Sequence, residues 1–143
     1  MSVFVVDASV AGKWLLPARG EALVAEAFRL LERWETGEVR LIVPDLFWAE
    51  LGNLLWKAVR QGRAAKAAAQ AALGSLQDRK LPTVASLDLI DLAFRIANAF
   101  DRSVYDSLYV ALALHSRGQL ITADEKLANA LAARLPVKYL GAV

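Results

Sequence analysis

Residues 3 to 10 read VFVVDASV. Val3, Phe4, Val5 and Val6 form a short, unbroken apolar run rich in β-branched side chains, which suits a strand covered on both faces. The run ends on Asp7, and residues 8 to 16 read as a helix that Pro17 stops. A doubly covered strand feeding straight into a helix is the start of a parallel strand–helix–strand arrangement, and the rest of the chain continues it.

Residues 21 to 35 place Leu23, Val24, Ala27, Leu30, Leu31 and Trp34 at helical spacing, with Gly37 as the stop. LIVP (41 to 44) is the second strand. Asp45 can cap the next helix, which reaches about Gln61 before Gly62 breaks it. An alanine-rich helix (64 to 76), a short strand at PTVA (82 to 85) and a helix from 87 to 99 follow. Ser103 opens a helix to Arg117, Gly118 ends it, and QLITA (119 to 123) is a strand. A helix from 125 to 133 and the strand VKYL (137 to 140) complete the series. There is no internal repeat, low-complexity tract or linker, so residues 1 to 143 read as one domain. The order favours an α/β fold, a three-layer α/β/α sandwich around a mostly parallel sheet.

Composition narrows the chemistry. With 57% hydrophobic and 22% charged residues the chain is no disordered segment. It contains no Cys, which removes disulfides and thiolate metal sites, and its only His, His115, removes most zinc sites. The N-terminus carries no basic leader, and no charge-free run approaches the ~20 residues of a membrane span, so a cytoplasmic protein is expected. The net charge of +2 permits a polyanionic partner without requiring one. Lys57, Arg60, Arg63 and Lys66, spaced three apart, are the best local basic footprint for RNA phosphates, or else a solvated face.

Ligands of open parallel sheets bind beyond the carboxyl ends of the strands. Asp7 directly follows the first strand, Asp124 directly follows QLITA, and Glu50 lies a turn and a half into the helix after LIVP. Each aspartate also has a local reading: Asp7 as a helix cap, Asp124 as the acid of a helix start that Thr122 and Glu125 box, and Asp106 as a first-turn acid behind Ser103. Glu50 is harder to explain locally. It sits in LFWAELGNLLW (46 to 56) among Leu46, Phe47, Leu51, Leu54 and Leu55, with no Lys or Arg within four residues. A glutamate on a buried face requires a distant partner.

Clustered carboxylates repel unless a cation intervenes, and an oxygen-only set with at most one His suits Mg²⁺ or Mn²⁺. Such ions lower the pKa of a water and stabilise a leaving oxygen in phosphodiester chemistry, without a histidine base. Ser9 and Thr122, each two residues from an acid, can orient a water or a phosphate oxygen, or serve only as helix-start hydroxyls.

VVDASV (5 to 10), AEL (49 to 51) within a helix, YDSLYVALAL (105 to 114) and LITADEKL (120 to 127), in this order, resemble the PIN-domain ribonucleases, above all the VapC toxins of toxin–antitoxin pairs. The likeness runs from about residue 3 to 127, with no matching motif between 62 and 100. It implies a catalytic and metal-binding set of Asp7, Glu50, Asp106 and Asp124, with Mg²⁺ or Mn²⁺ as cofactor and endonucleolytic cleavage of RNA as activity. It also implies a cognate antitoxin protein that blocks the acidic site, and a homodimer. Trp48, Gly52, Leu55, Trp56 and Val59 offer a second face of the Glu50 helix as a partner surface or as core. Trp14, near the first acid, is either a base-stacking neighbour or packing.

Three other readings compete. The first is a PIN nuclease of RNA processing without an antitoxin. The second is a receiver-type signalling module with Asp45 as phosphate acceptor, against which stand the single acid after the first strand and Lys138 inside the last. A serine hydrolase using Ser9 lacks a G-x-S-x-G elbow.

Overall fold

The computed structural model describes residues 1–143, all of which are placed. Five strands, β1 (Ser2–Val6), β2 (Val39–Pro44), β3 (Thr83–Val84), β4 (Gln119–Thr122) and β5 (Val137–Tyr139), form one sheet in the order β3-β2-β1-β4-β5. Every neighbouring pair is parallel. The sheet is therefore wholly parallel where a mostly parallel one is expected from sequence. β1 sits at its centre, and Val5 and Val6 are fully buried. Covering both faces of such a strand is worth about 1.5–3 kcal/mol for each valine.

The helices are α1 (Ala8–Leu15), α2 (Val24–Glu35), α3 (Leu46–Arg60), α4 (Lys66–Asp78), α5 (Ile90–Phe100), α6 (Val104–His115) and α7 (Glu125–Leu131). α1 packs on α2, α3 and α4 in one layer; α5 and α6 pack together and α6 lies against β1, β2 and β4, while α7 covers β4 and β5. Successive crossovers run from β1 outward to β2 and β3, and then back past β1 to β4 and β5. Right-handed crossovers in opposite directions put their helices on opposite faces. The reversal leaves a switch point between β1 and β4, where the strand ends open into a crevice.

Several boundaries differ from the sequence reading by one to a few residues, and three of the differences have a clear local reason. α2 begins at Val24 rather than residue 21, because Leu23 adopts a left-handed conformation (φ 68°). The segment read as one helix from 87 is a 3₁₀ turn (Ser86–Asp88) followed by α5. At the end of α6 the left-handed residue is Arg117 (φ 57°), not Gly118. Gly118 serves a different need: a Cβ there would stand 2.3 Å from the carbonyl oxygen of Val3, so only glycine lets the chain enter β4 beside β1. Gly12 does similar service between helices, where a Cβ would meet Leu54 Cδ2 at 2.9 Å.

Candidate active site

The C-terminal ends of β1 and β4, the first half of α3 and the start of α6 surround a pocket of about 360 Å³. Asp7, Glu50, Asp106 and Asp124 all line it, together with Ser9, Asn53, Lys57 and Tyr109. The fold thus brings to one place four acids that lie 117 positions apart at their extremes, 124 less 7. Asp106, whose helix follows another helix with no strand between, reaches the pocket because α6 crosses the rim above β1 and β4.

The local readings of the aspartates turn out to coexist with the shared one. Asp7 caps α1: its Oδ1 accepts the amides of Ser9 (3.1 Å) and Val10 (3.4 Å) and the Ser9 hydroxyl. Ser9 Oγ also accepts the amide of Ala123 at 3.3 Å, so one hydroxyl ties the end of β1 to the end of β4 across the switch point. Asp124 caps α7 by accepting the Leu127 amide through Oδ1 at 3.1 Å. The expected capping box of Thr122 with Glu125 is not the one that forms. Thr122, fully buried, instead accepts the Asp124 amide at 3.0 Å and sets the turn that aims this acid. Ser103 caps α6 by accepting the Asp106 amide at 3.0 Å, which leaves the Asp106 carboxylate free for the pocket.

Burial is the largest influence on two of these groups. Desolvation raises the pKa of Asp7, with hydrogen bonds from Ser9 and Thr122 opposing it and the charge of Glu50 adding to the rise. Desolvation also raises Asp106, with Arg102 opposing and Asp124 adding. Each of these two acids is thus raised in part by another acid of the same pocket, the behaviour of clustered carboxylates. No three of the acids stand close enough to form a ready cage for an ion. The donor set nevertheless fits a hard divalent ion: oxygens only, from four elements, around a volume with room for the several waters that Mg²⁺ retains.

Glu50 finds its partner in Tyr109, whose hydroxyl donates to Glu50 Oε1 at 2.5 Å. The phenol is pushed far above its usual range by burial first and by Glu50 second, so it stays a donor. Sequence reasoning asked for a charge partner and missed this one. The available signal was spacing: Tyr109 stands one turn after Asp106 and so shares its face of α6.

The remaining candidates separate. Of the basic series only Lys57 lines the pocket. The series bends at the turn around Gly62, between α3 and α4, so it is not one helix face. Arg60 lies over the Trp56 ring (5.1 Å), Arg63 pairs with Glu21 (3.2 Å), and Lys66 is exposed at the start of α4. Trp14, only 9% exposed, donates to the carbonyl of Ala27 at 2.7 Å and stacks on Trp34; it is core, not a base-stacking platform. The partner face proposed on α3 divides: Leu55 is buried, Trp48 donates to Thr83 (3.0 Å), and Trp56 alone is largely exposed (53%). Asp45 occupies the residue before α3 without capping it; its carboxylate accepts the Ser86 hydroxyl, which holds its pKa low. It does not line the acidic pocket.

A wholly parallel α/β domain with four carboxylates lining the crevice at its switch point is a ligand-binding α/β domain with an acidic site. Residues 4–131 match the PIN domain, and the chain belongs to the PIN-domain family. This sets aside the receiver reading of Asp45. No curated protein sequence matches the chain. Among solved structures it is similar to a protein of Pyrobaculum aerophilum at 25% identity (TM-score 0.70, covering 99% of this chain and 85% of the other). It shares its fold with a toxin–antitoxin complex of Klebsiella pneumoniae at 16% identity (TM-score 0.66, 98% of each chain). It also shares it with VapC20 of Mycobacterium tuberculosis, a sarcin–ricin loop cleaving toxin, at 19% identity (TM-score 0.63, 94% and 96%).

Proposed function

We propose that this chain is a divalent-metal-dependent endoribonuclease and the toxin of a toxin–antitoxin pair. The observation that carries the reading is the convergence of Asp7, Glu50, Asp106 and Asp124 on one pocket of a PIN domain, with a lysine on its wall. Asp7, Glu50, Asp106 and Asp124 would hold Mg²⁺ or Mn²⁺. The ion, when bound, supplies charge neutralisation at the scissile phosphate and a water of lowered pKa. The chain's own residues do the positioning. Ser9 fixes the carboxylate of Asp7, and Ser103 and Thr122 set the backbone that presents Asp106 and Asp124. Lys57, two turns along α3 from Glu50, lines the pocket and is the candidate contact for an RNA phosphate, whereas Arg60, Arg63 and Lys66 lie outside the pocket and Arg63 is paired with Glu21. No group in the pocket is a histidine, so proton movement rests on water and carboxylates.

The fold shared with a toxin–antitoxin complex supports an antitoxin partner that covers the acids, and a homodimer is the assembly we expect. No helix is long and apolar enough to cross a membrane, and we place the enzyme in the cytoplasm. A PIN nuclease of RNA processing without an antitoxin would share the same site. The deciding assay incubates purified protein with a broad panel of RNAs and Mg²⁺ or Mn²⁺. Internal cleavage with 5′-phosphate ends, abolished by chelation, is expected. Folded protein that cleaves nothing under these conditions would end the nuclease reading.

A further inference from the structure

We infer that Tyr109 is a positioning residue for Glu50, fixing which oxygen of that carboxylate is presented to the divalent ion. The inference rests on the metal-site reading above and adds to it a residue outside the four acids. Glu50 takes part in no ion pair. Its one hydrogen bond is the 2.5 Å contact from the Tyr109 hydroxyl to Oε1, and its second oxygen carries none. A flexible glutamate side chain that lines the pocket is thereby pinned at one oxygen while the other has no hydrogen-bond partner.

The tether has a rigid origin. Tyr109 is 3% exposed and belongs to the core, so its ring cannot follow a moving carboxylate. The hydroxyl projects from the helix that carries Asp106 and reaches the helix that carries Glu50, in the pocket that Asp7 and Ala8 also line. One phenol thus ties together the elements bearing two of the four acids. α3 belongs to one helical layer and α6 to the other, so the bond crosses the rim of the sheet at the switch point. A core aromatic ring has no need of a hydroxyl at this place for packing; the hydroxyl's only acceptor is the acid. Hydrogen-bond partners one layer outside the ligands orient them and set metal affinity.

The test measures Mn²⁺ binding by titration calorimetry for the wild type, Tyr109→Phe, Glu50→Gln and the double variant, with metal-free thermal melts to establish that each is folded. Phenylalanine keeps the ring and removes only the donor. Tyr109→Phe should weaken Mn²⁺ about 10- to 100-fold, the range for lost outer-layer partners. In the Glu50→Gln background the same change should add little, because the group through which Tyr109 acts is already altered. Folded Tyr109→Phe that binds Mn²⁺ as the wild type does would overturn the inference and leave the metal site standing. So would a loss that persists undiminished in the Glu50→Gln background. A folded wild type that binds no Mn²⁺ would overturn both.

Discussion

Asp106 is where a structural and a chemical role can be separated by a single atom exchange. Ser103 already caps α6, so the carboxylate of Asp106 is not needed to satisfy the helix's first amides. Its pKa lies above the ordinary 3.8 because it is half buried and faces Asp124. The folded chain therefore holds that proton more tightly than the unfolded chain does. Ionised Asp106 weakens the metal-free fold at neutral pH, and the penalty fades as pH falls through the raised value. Asp106→Asn should accordingly leave metal-free stability unchanged or raise it, while RNA cleavage falls by at least about 100-fold, beyond the loss typical of groups one layer out. A helix-start acid would behave oppositely, costing about 0.3–1 kcal/mol in a melt and sparing activity. Asp7, Glu50 and Asp124 could be placed near one rim from their positions after strands or in the helix behind one, whereas Asp106, whose helix follows another helix, joined them only through the family resemblance. Tyr109 was not legible, because its bond to Glu50 spans 59 positions and no local pattern announces an acceptor that distant.

At the scale of elements, strands were read from β-branched runs and helices from their apolar spacing, and the order of β1 to β5 with α1 to α7 follows from those alone. What sequence concealed were the irregular joints. Leu23 and Arg117 adopt left-handed backbone although neither is glycine, so the usual signal is missing where the turn occurs. Gly118 carried a signal that meant something else. Since a Cβ at residue 118 meets a backbone carbonyl that cannot swing aside, Gly118→Ala should destabilise the protein by about 1–3 kcal/mol, the cost of overpacking, as measured by urea denaturation. Arg117→Gly, by contrast, relieves a side chain from left-handed backbone and should stabilise by about 1 kcal/mol. Equal destabilisation by both would mean that the close approach to Val3 is not what residue 118 serves.

For the molecule as a whole, the acid pocket is an electrostatic liability that the proposed cation would remove. Anything that binds the folded state alone stabilises it in proportion to the logarithm of its concentration over Kd. Mn²⁺ at 100 times its Kd should therefore add about 2.7 kcal/mol, visible as a higher melting temperature and reversed by a chelator. A variant with Asp7, Glu50, Asp106 and Asp124 all changed to amides should show no such shift. If it melts higher with Mn²⁺ to the same extent as the wild type, the ion binds elsewhere.

The sheet's two outer strands carry a further consequence. β3 has two residues and β5 three, so each margin exposes only a few unpaired amides and carbonyls. Stubby margins of this kind give an incoming extended chain almost nothing to zip onto. Recruitment of a foreign strand, and runaway edge-to-edge pairing of one copy's sheet with the next, are disfavoured by these short margins. Away from the acid crevice, apolar contact with another macromolecule falls to the helical flanks, where Phe94 on α5 and Trp56 on α3 are exposed.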